Sequence, residues 1–521
     1  ADAVGLIAVG LAGLGAAGGG LYAWQAIRGP PGPPEPFPSD RKVPLTNWSG
    51  THSVVARRVF EPETQEQLEE AIAWAAQSGQ KCRPMGTGLS PNGLALEKRG
   101  MLSMAQMDDI IEVDKKNMRI RVQGGTRVSK ILDELQKHDL TLENFSSITE
   151  QQIGGWTQVS AHGTGARIPP VDEMVTEMTL VTPGKGVLHL SEDGSDAELF
   201  RLARVGLGSL GVVSEVTLKV RPKYSLHERT YCSSVADLRR NHAELLQKHR
   251  HVRYMWIPYT DTVVVVVSDT PQPNTTCTPA LPDSYRLRPF AELLRELKPD
   301  CGDLTGVNFA QIREKCLVLD PLNAEHVARV NRAEAQFWER SSGERVADSM
   351  EILGFECGGT QWVLENCIPC GTIDEPSLAD IDYMIELKSV IEREGIAAAS
   401  PIEQRWTARS SSPMSPAYSP QDTDIFSWVG VIMYIVDEGK APAIKTKFRE
   451  YGQRHADLTF KYGGAFHWGK IDLDFHLGAR LEEMQAAMRS RFDIAAFCKA
   501  RRELDPQNVL GNKLIDTVFA E

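Results

Sequence analysis

Alternating apolar and polar positions mark the strands of this chain, and a period of three to four marks its helices. Met118–Gln123 alternates as a half-buried strand should. Leu68, Ile72 and Ala75 share a helical face behind Thr64-Gln-Glu-Gln67. That tetrad is a capping box, in which the Thr64 hydroxyl takes the third amide and Gln67 reaches back, and Gly79 can close the helix in the left-handed conformation. Val128, Ile131, Leu132 and Leu135 predict a second helix over Val128–Lys137. Met174–Val181 and Val187–Leu190, joined by Pro183-Gly-Lys-Gly186, read as a hairpin, and Val212–Val220 as a further strand. Met255–Val267, with its run of valines at 263–267, predicts a central buried strand of a second sheet, and Phe426–Ile435 another. Ala324–Glu339, Ser377–Glu394 and the tail from Leu481 carry helical periodicity. Residues 269–310 are proline-rich and are expected to form an irregular surface insertion. Hairpins mixed with helices make the fold class α+β rather than a doubly wound sheet.

The amino terminus differs in kind. Val4–Ile27 is uncharged, and its 24 residues would span roughly 36 Å as a helix, enough to cross a bilayer. Arg28–Pro38 follows as a stiff, proline-rich spacer. An N-terminal transmembrane helix is therefore expected.

Composition narrows the partners. With 57 basic and 69 acidic residues the net charge is −12, which argues against nucleic acid and favours docking of a basic protein. Nine cysteines without a disulfide-like framework suit a compartment that keeps thiols reduced. Cys367-Ile-Pro-Cys370 has the spacing of a redox dithiol or half a zinc site, but no second half exists, so no metal is expected and two half-buried thiols is the simpler reading.

Glycine then changes the picture. Glu150–Arg167 holds Gly154, Gly155, Gly163 and Gly165, and further glycine runs lie at Gly86-Thr-Gly88 and Gly206–Gly211. Such clusters need a backbone at positive φ or one lying against a ligand. Three in one α/β stretch point to a large, flat, phosphate-bearing cofactor held mainly by main chain, or else to turns between short strands. No GxGxxG stands at a strand-to-helix turn, which weakens a Rossmann reading.

Together these loops resemble the aldonolactone oxidoreductases of the vanillyl-alcohol-oxidase flavoprotein family, most closely their plant-type mitochondrial branch. The resemblance is carried by Asn47–His52, Gly88–Gly93, Glu150–Gly155, Ala161–Arg167, Pro401-Ile-Glu-Gln-Arg-Trp-Thr-Ala-Arg409, Phe466-His-Trp-Gly-Lys470 and Arg502–Pro506. It implies an FAD-binding domain at 46–223 and a cap domain with an antiparallel sheet at 224–480. Residues 1–28 would be the membrane helix, 29–45 the linker and 481–521 a helical segment packing back near the flavin. It assigns cofactor contacts to Arg83, Gly86, Thr87, Gly88, Leu89, Ser90, Ser146, Gly154, Gly155, Ser160, His162, Gly163, Thr164, Gly165, Gly211, Val212 and His467. Leu89 stands where many relatives carry a flavin-linking histidine, so FAD is expected to be non-covalent. Glu403 and Arg405, at i and i+2 of a strand, would share a sheet face over the flavin and handle the substrate hydroxyl and a lactone oxygen. Taken alone, such a pair is usually a surface ion pair. Lys470 would offset charge on the reduced flavin, and Cys357 matches a thiol of plant relatives.

The implied reaction oxidises L-galactono-1,4-lactone to L-ascorbate and passes electrons to cytochrome c. The implied setting is the mitochondrial inner membrane, in association with respiratory complex I. Ser146 is larger than the residues relatives carry there, so poor reaction with oxygen is expected. An oxygen-using aldonolactone oxidase and a structural subunit or assembly factor of complex I are the alternatives.

Overall fold

The computed structural model describes residues 41–354, 360–473 and 480–520. The expected membrane span Val4–Ile27, the proline-rich spacer and Cys357 lie outside the described residues. No helix among the described residues is long and apolar enough to cross a membrane.

Five strands, β1 (Ile110–Asp114), β2 (Arg119–Gln123), β3 (Val175–Thr182), β4 (Gly186–Ser191) and β5 (Val212–Lys219), form an antiparallel sheet in the order β4-β3-β5-β2-β1. The hairpin β3–β4 closes over the Pro183–Lys185 turn. A small parallel sheet of Val59–Phe60, Met101–Ser103 and Arg83–Met85 accompanies it. Helix Val128–Gln136 buries Val128, Ile131, Leu132 and Leu135, the four residues its period singled out. They join Ile120, Val122, Val216 and Leu218 in one core. Helix Gln65–Ser78 is capped by Thr64 and closed by Gly79 at φ 62°. The Gln67 side chain accepts from the Glu63 amide at 2.8 Å, one residue further back than a capping box requires.

The second sheet has eight strands: β6 (Ser225–Ser234), β7 (His251–Trp256), β8 (Thr262–Asp269), β9 (Gly343–Asp348), β10 (Gln361–Thr372), β11 (Ile402–Ala408), β12 (Asp424–Tyr434) and β13 (Ala465–Phe466). They run antiparallel in the order β9-β6-β8-β7-β11-β12-β10-β13. The expected single strand Met255–Val267 is thus two. Pro258 and Asp261 break the run, and the valines pair back on Trp256–Val252. All five valines are buried because both faces are covered. Val263, Val265 and Val267 pack with Leu238, Met384 and Phe448 of three helices, whereas Val264 and Val266 pack with Met255 and Ala335.

Residues 269–310 are not irregular throughout. Helices Asp283–Arg286 and Arg288–Leu297 form there, and Phe309–Leu317 follows. Pro289 occupies the first turn, where its missing N–H costs nothing. Phe290, Leu293 and Leu294 then recur at helical spacing and pack on Val330, Ala333 and Phe337. The carboxyl-terminal helices Leu481–Arg491, Ile494–Leu504 and Lys513–Val518 place Met484, Phe497, Leu504 and Ile515 in the core of the first sheet. Cys367 and Cys370 stand three apart on β10, so their thiols face opposite sides of the sheet. Cys367 lies with Phe426 and Trp428, and Cys370 turns toward the Ile425 carbonyl at 3.3 Å. That pair is no dithiol.

Candidate active site

The glycine loops converge. Gly86, Thr87, Gly88, Leu89 and Ser90, with Gly154, Gly155, Gly208, Gly211 and Val212, line one cavity. Gly88 and Gly208 sit at φ 68° and 60°, where only glycine is unstrained. Gly155 is different: a Cβ there would meet no protein atom within 4 Å. Neither packing nor conformation demands glycine at 155, so the space it leaves is space for a ligand. These residues fit a flat, phosphate-bearing cofactor approached by main-chain amides. Arg83 also lines the cavity, but its guanidinium donates to the carbonyls of Leu94, Leu207, Gly208 and Leu510 at 2.7–3.0 Å. It ties the carboxyl-terminal segment to the cavity wall.

The other expected cofactor residues lie elsewhere. Ser146 stands behind the wall: its hydroxyl bonds Gln151 and accepts from the Trp156 indole at 2.9 Å, and both partners face the cavity. Ser160, fully buried at φ 54°, gives its hydroxyl to Asp172 at 2.7 Å and meets Ser415 at 2.8 Å. Gly163, Thr164 and Gly165 form a loop that is sewn to the large sheet. The Gly165 amide donates to the Trp406 carbonyl at 2.7 Å, the Ala408 amide to Ile168 at 3.0 Å, and the Thr164 hydroxyl to Val252. Behind it, Asp172 collects the hydroxyls of Ser160, Ser410 and Ser412, and Glu173 pairs with Arg204 at 2.8 Å.

His162 and His467 meet at a residue that motif reading missed. Glu365, on β10, is 2% exposed. Its carboxylate takes Lys470 Nζ at 2.5 Å, His162 Nε2 at 3.2 Å and the Arg405 guanidinium at 3.5 Å, with His467 Nε2 at 4.0 Å. The His467 Nδ1 accepts from the Gly469 amide at 3.0 Å, so its remaining proton is on the nitrogen facing Glu365. His162 stacks on Trp428, with ring centroids 3.9 Å apart. Burial alone would raise the Glu365 pKa, but the Lys470 ammonium and then His162 hold it well below the usual carboxylate range.

Strand register explains the convergence. Glu403 pairs across β11–β12 with Gly430, and Gly430 across β12–β10 with Glu365. One cross-strand row therefore carries carboxylate, glycine, carboxylate. A Cβ on Gly430 would lie 3.6 Å from the Glu365 carboxylate, so its absence keeps the gap between the two acids open. In the next row Arg253 pairs with Arg405 and Arg405 with Trp428. Arg405 lies 3.4 Å from Glu403, and Arg253 3.7 Å from it. Of the three residues singled out for chemistry, Arg405 and Lys470 meet at Glu365, and Glu403 joins them through Arg405. A signal for Glu365 was present: it is an acid inside the mostly apolar run Gln361–Ile368, buried but for half-buried Val363, where an unpaired charge is prohibitive.

The buried histidines set a pH dependence. Burial lowers the pKa of His162, His251, His455 and His467, bringing His251 and His455 to about 4. Below about pH 6.5 the unfolded chain binds protons that the folded chain refuses, so stability falls with pH. The expected loss is about 1.4 kcal/mol per pH unit for each of His251 and His455 between pH 6.5 and 4, with His162 and His467 adding in the same direction. Denaturant titrations at pH 7.5, 6 and 5 check it, and a flat profile would contradict neutral burial.

Residues 56–191 match a family model described as an FAD binding domain, and 216–518 one described as D-arabinono-1,4-lactone oxidase. The chain is 47% identical over 506 residues to the mitochondrial L-galactono-1,4-lactone dehydrogenase of Brassica oleracea, covering 93% of this chain and 84% of that one. It is 46% identical to the Arabidopsis thaliana protein of the same name, covering 93% and 82%. The L-gulonolactone oxidase of Bos taurus is 27% identical, covering 92% and 98%. Among solved structures, a cholesterol oxidase from B. sterolicum superposes with a TM-score of 0.72 at 16% identity, over 94% of this chain and 99% of that one. That last likeness concerns the fold, a two-domain FAD-binding oxidase with mixed helix and sheet.

Proposed function

The chain belongs to the D-arabinono-1,4-lactone oxidase family of FAD-binding aldonolactone oxidoreductases, and on that premise we propose that it oxidises L-galactono-1,4-lactone to L-ascorbate. The observation that carries this reading is that Arg405 and Lys470 meet at buried Glu365 while Glu403 flanks Arg405 on its other side. The FAD-binding portion is 46–223 and the substrate portion 224–480, with the carboxyl-terminal helices closing on the former.

FAD, when bound, supplies a two-electron hydride acceptor. Gly86–Ser90, Gly154, Gly155 and Gly211 would hold it. The chain's own residues must then bind, orient and neutralise. Arg405 is fixed by a carboxylate on either side and stays cationic, so its planar fork can grip a lactone oxygen. Glu403 is partly exposed and on the same face, placed to accept the hydroxyl proton as the carbon is oxidised. Lys470, anchored by Glu365, brings positive charge to where negative charge collects.

Leu89 offers no nucleophile, so the cofactor is non-covalent in this reading. Ser146 fills the site behind Trp156 and Gln151, which supports a dehydrogenase over an oxygen-using enzyme. Cytochrome c is the acceptor we assign, an assignment supported by the net charge of −12 facing a basic partner. The two plant dehydrogenases named above are mitochondrial. Together with the uncharged run Val4–Ile27 this supports anchorage at the inner membrane, with respiratory complex I as partner.

One preparation tests these points. The purified protein should show flavin absorption bands that bleach when L-galactono-1,4-lactone is added anaerobically. Acid precipitation should leave yellow FAD in the supernatant, and air should restore the bands slowly in stopped flow. Bands unchanged by lactone would end the reading. Colour retained in the pellet would overturn the role given to Leu89.

A further inference from the structure

Past Arg405 the same face of the large sheet runs into a second hollow. Register builds its floor. Glu228 on β6 pairs with Ser268 on β8, and Ser268 with His251 on β7, so the three form one cross-strand row. The row lies two residues along β7 from Arg253, which faces Arg405. Two residues of strand are roughly 7 Å, the scale of the distance from a ring hydroxyl of a six-carbon lactone, across the ring, to the end of its side chain. Phe145, Ile352 and Leu353 supply apolar wall.

His251 is the unusual member. It is 2% exposed, and its Nδ1 lies 2.7 Å from the Thr164 carbonyl. A carbonyl only accepts, so Nδ1 carries the proton. Burial lowers the imidazole pKa to about 4, so the ring is neutral and Nε2 is a bare lone pair. That nitrogen is buried without a hydrogen-bond partner among the described residues. A buried acceptor left unmade is costly, and such an atom at the wall of a hollow beside Arg405 waits for a donor.

We propose that His251 is a specificity-determining residue whose Nε2 accepts a hydrogen bond from a hydroxyl on the polyol side chain of the lactone, while Glu403 and Arg405 hold the reacting end. The assignment rests on the lactone-oxidising reading above. It gives the hollow a ligand class: a hydroxylated tail, with the apolar wall against its carbons. The same bond would lock the Thr164 carbonyl, through the imidazole, to the presence of substrate.

The test pairs variants with substrates. His251→Phe keeps a flat ring and removes the acceptor, whereas His251→Gln keeps one. On L-galactono-1,4-lactone, His251→Phe should raise KM about ten-fold with kcat within two-fold, and His251→Gln should recover most of the loss. On whichever of the 5-deoxy and 6-deoxy lactones lacks the bonded hydroxyl, wild type and His251→Phe should have equal KM. FAD content and the visible spectrum should not change. Equal loss on every lactone, or an altered flavin spectrum, would show that His251 supports the loop or the cofactor instead. Should the variants not fold, wild type alone decides, because unchanged KM on both deoxy lactones overturns the proposal. A wild type inert to all lactones while holding FAD would fail the parent reading, and this assignment with it, and is recognised by the unbleached spectrum.

Discussion

Replacing Arg405 by lysine should lower kcat/KM for the lactone by about 10²–10³, the usual cost of removing a donor aimed at developing charge. The positive charge would remain, so the loss measures geometry. Arg405 sits between two carboxylates, 3.4 Å from Glu403 and 3.5 Å from Glu365, and is itself 6% exposed. A guanidinium can face both acids and still present an N–H edge to substrate, whereas an ammonium on a flexible stem serves one partner at a time. Arg405 is not among the residues lining the glycine-rich cavity, so FAD content should stay at the wild-type level. Steady-state kinetics with an artificial acceptor, alongside the ratio of flavin to protein absorbance, measure both. A loss below about five-fold would remove Arg405 from the chemistry, and a loss of FAD would move it to the cofactor.

The second large effect concerns stability. Glu365→Gln preserves shape and deletes the buried anion that Lys470, His162 and Arg405 share. Removing one partner of a buried ion pair typically costs about 3–5 kcal/mol, because the cations stay behind without compensation. The carboxylate is 2% exposed and Lys470 only partly so, which places the pair in that class. Urea unfolding should show the loss as a lower midpoint with an unchanged slope. Adding Lys470→Met to Glu365→Gln should recover part of it, since the stranded ammonium is then gone. If the single variant melts within 1 kcal/mol of wild type, Glu365 is not the electrostatic centre that its four neighbours suggest.

What could be read from the chain divides along a physical line. Features local in sequence were legible: the period of Val128–Gln136, the Thr64 cap, the β3–β4 hairpin and the glycine loops, whose composition has no cheap explanation other than special backbone or a ligand. Features depending on strand order were not. Glu365 meets Lys470 across 105 positions and His162 across 203, and only the order β11-β12-β10 puts Glu403, Gly430 and Glu365 in one row. The long valine run hid a hairpin because continuous burial erases the alternation that would locate its turn, although Pro258 and Asp261 were there to be read. In 269–310 the prolines and threonines near 271–282 obscured the apolar period that begins at Pro289. His251 illustrates the hardest case. Nothing in its flanking residues distinguishes it, and its meaning comes from one nitrogen satisfied and the other not.

The loop at 163–168 has a mechanical corollary. Main-chain bonds from Gly165 to Trp406 and from Ala408 to Ile168 weld a glycine loop of the cofactor half onto a strand that bears the substrate acids. A jaw-like opening at that point would tear the backbone seam with every turnover. On the proposed reading, substrate and product would then pass without the two halves parting at that seam, and crystals of the FAD-loaded protein should tolerate soaking with lactone without cracking.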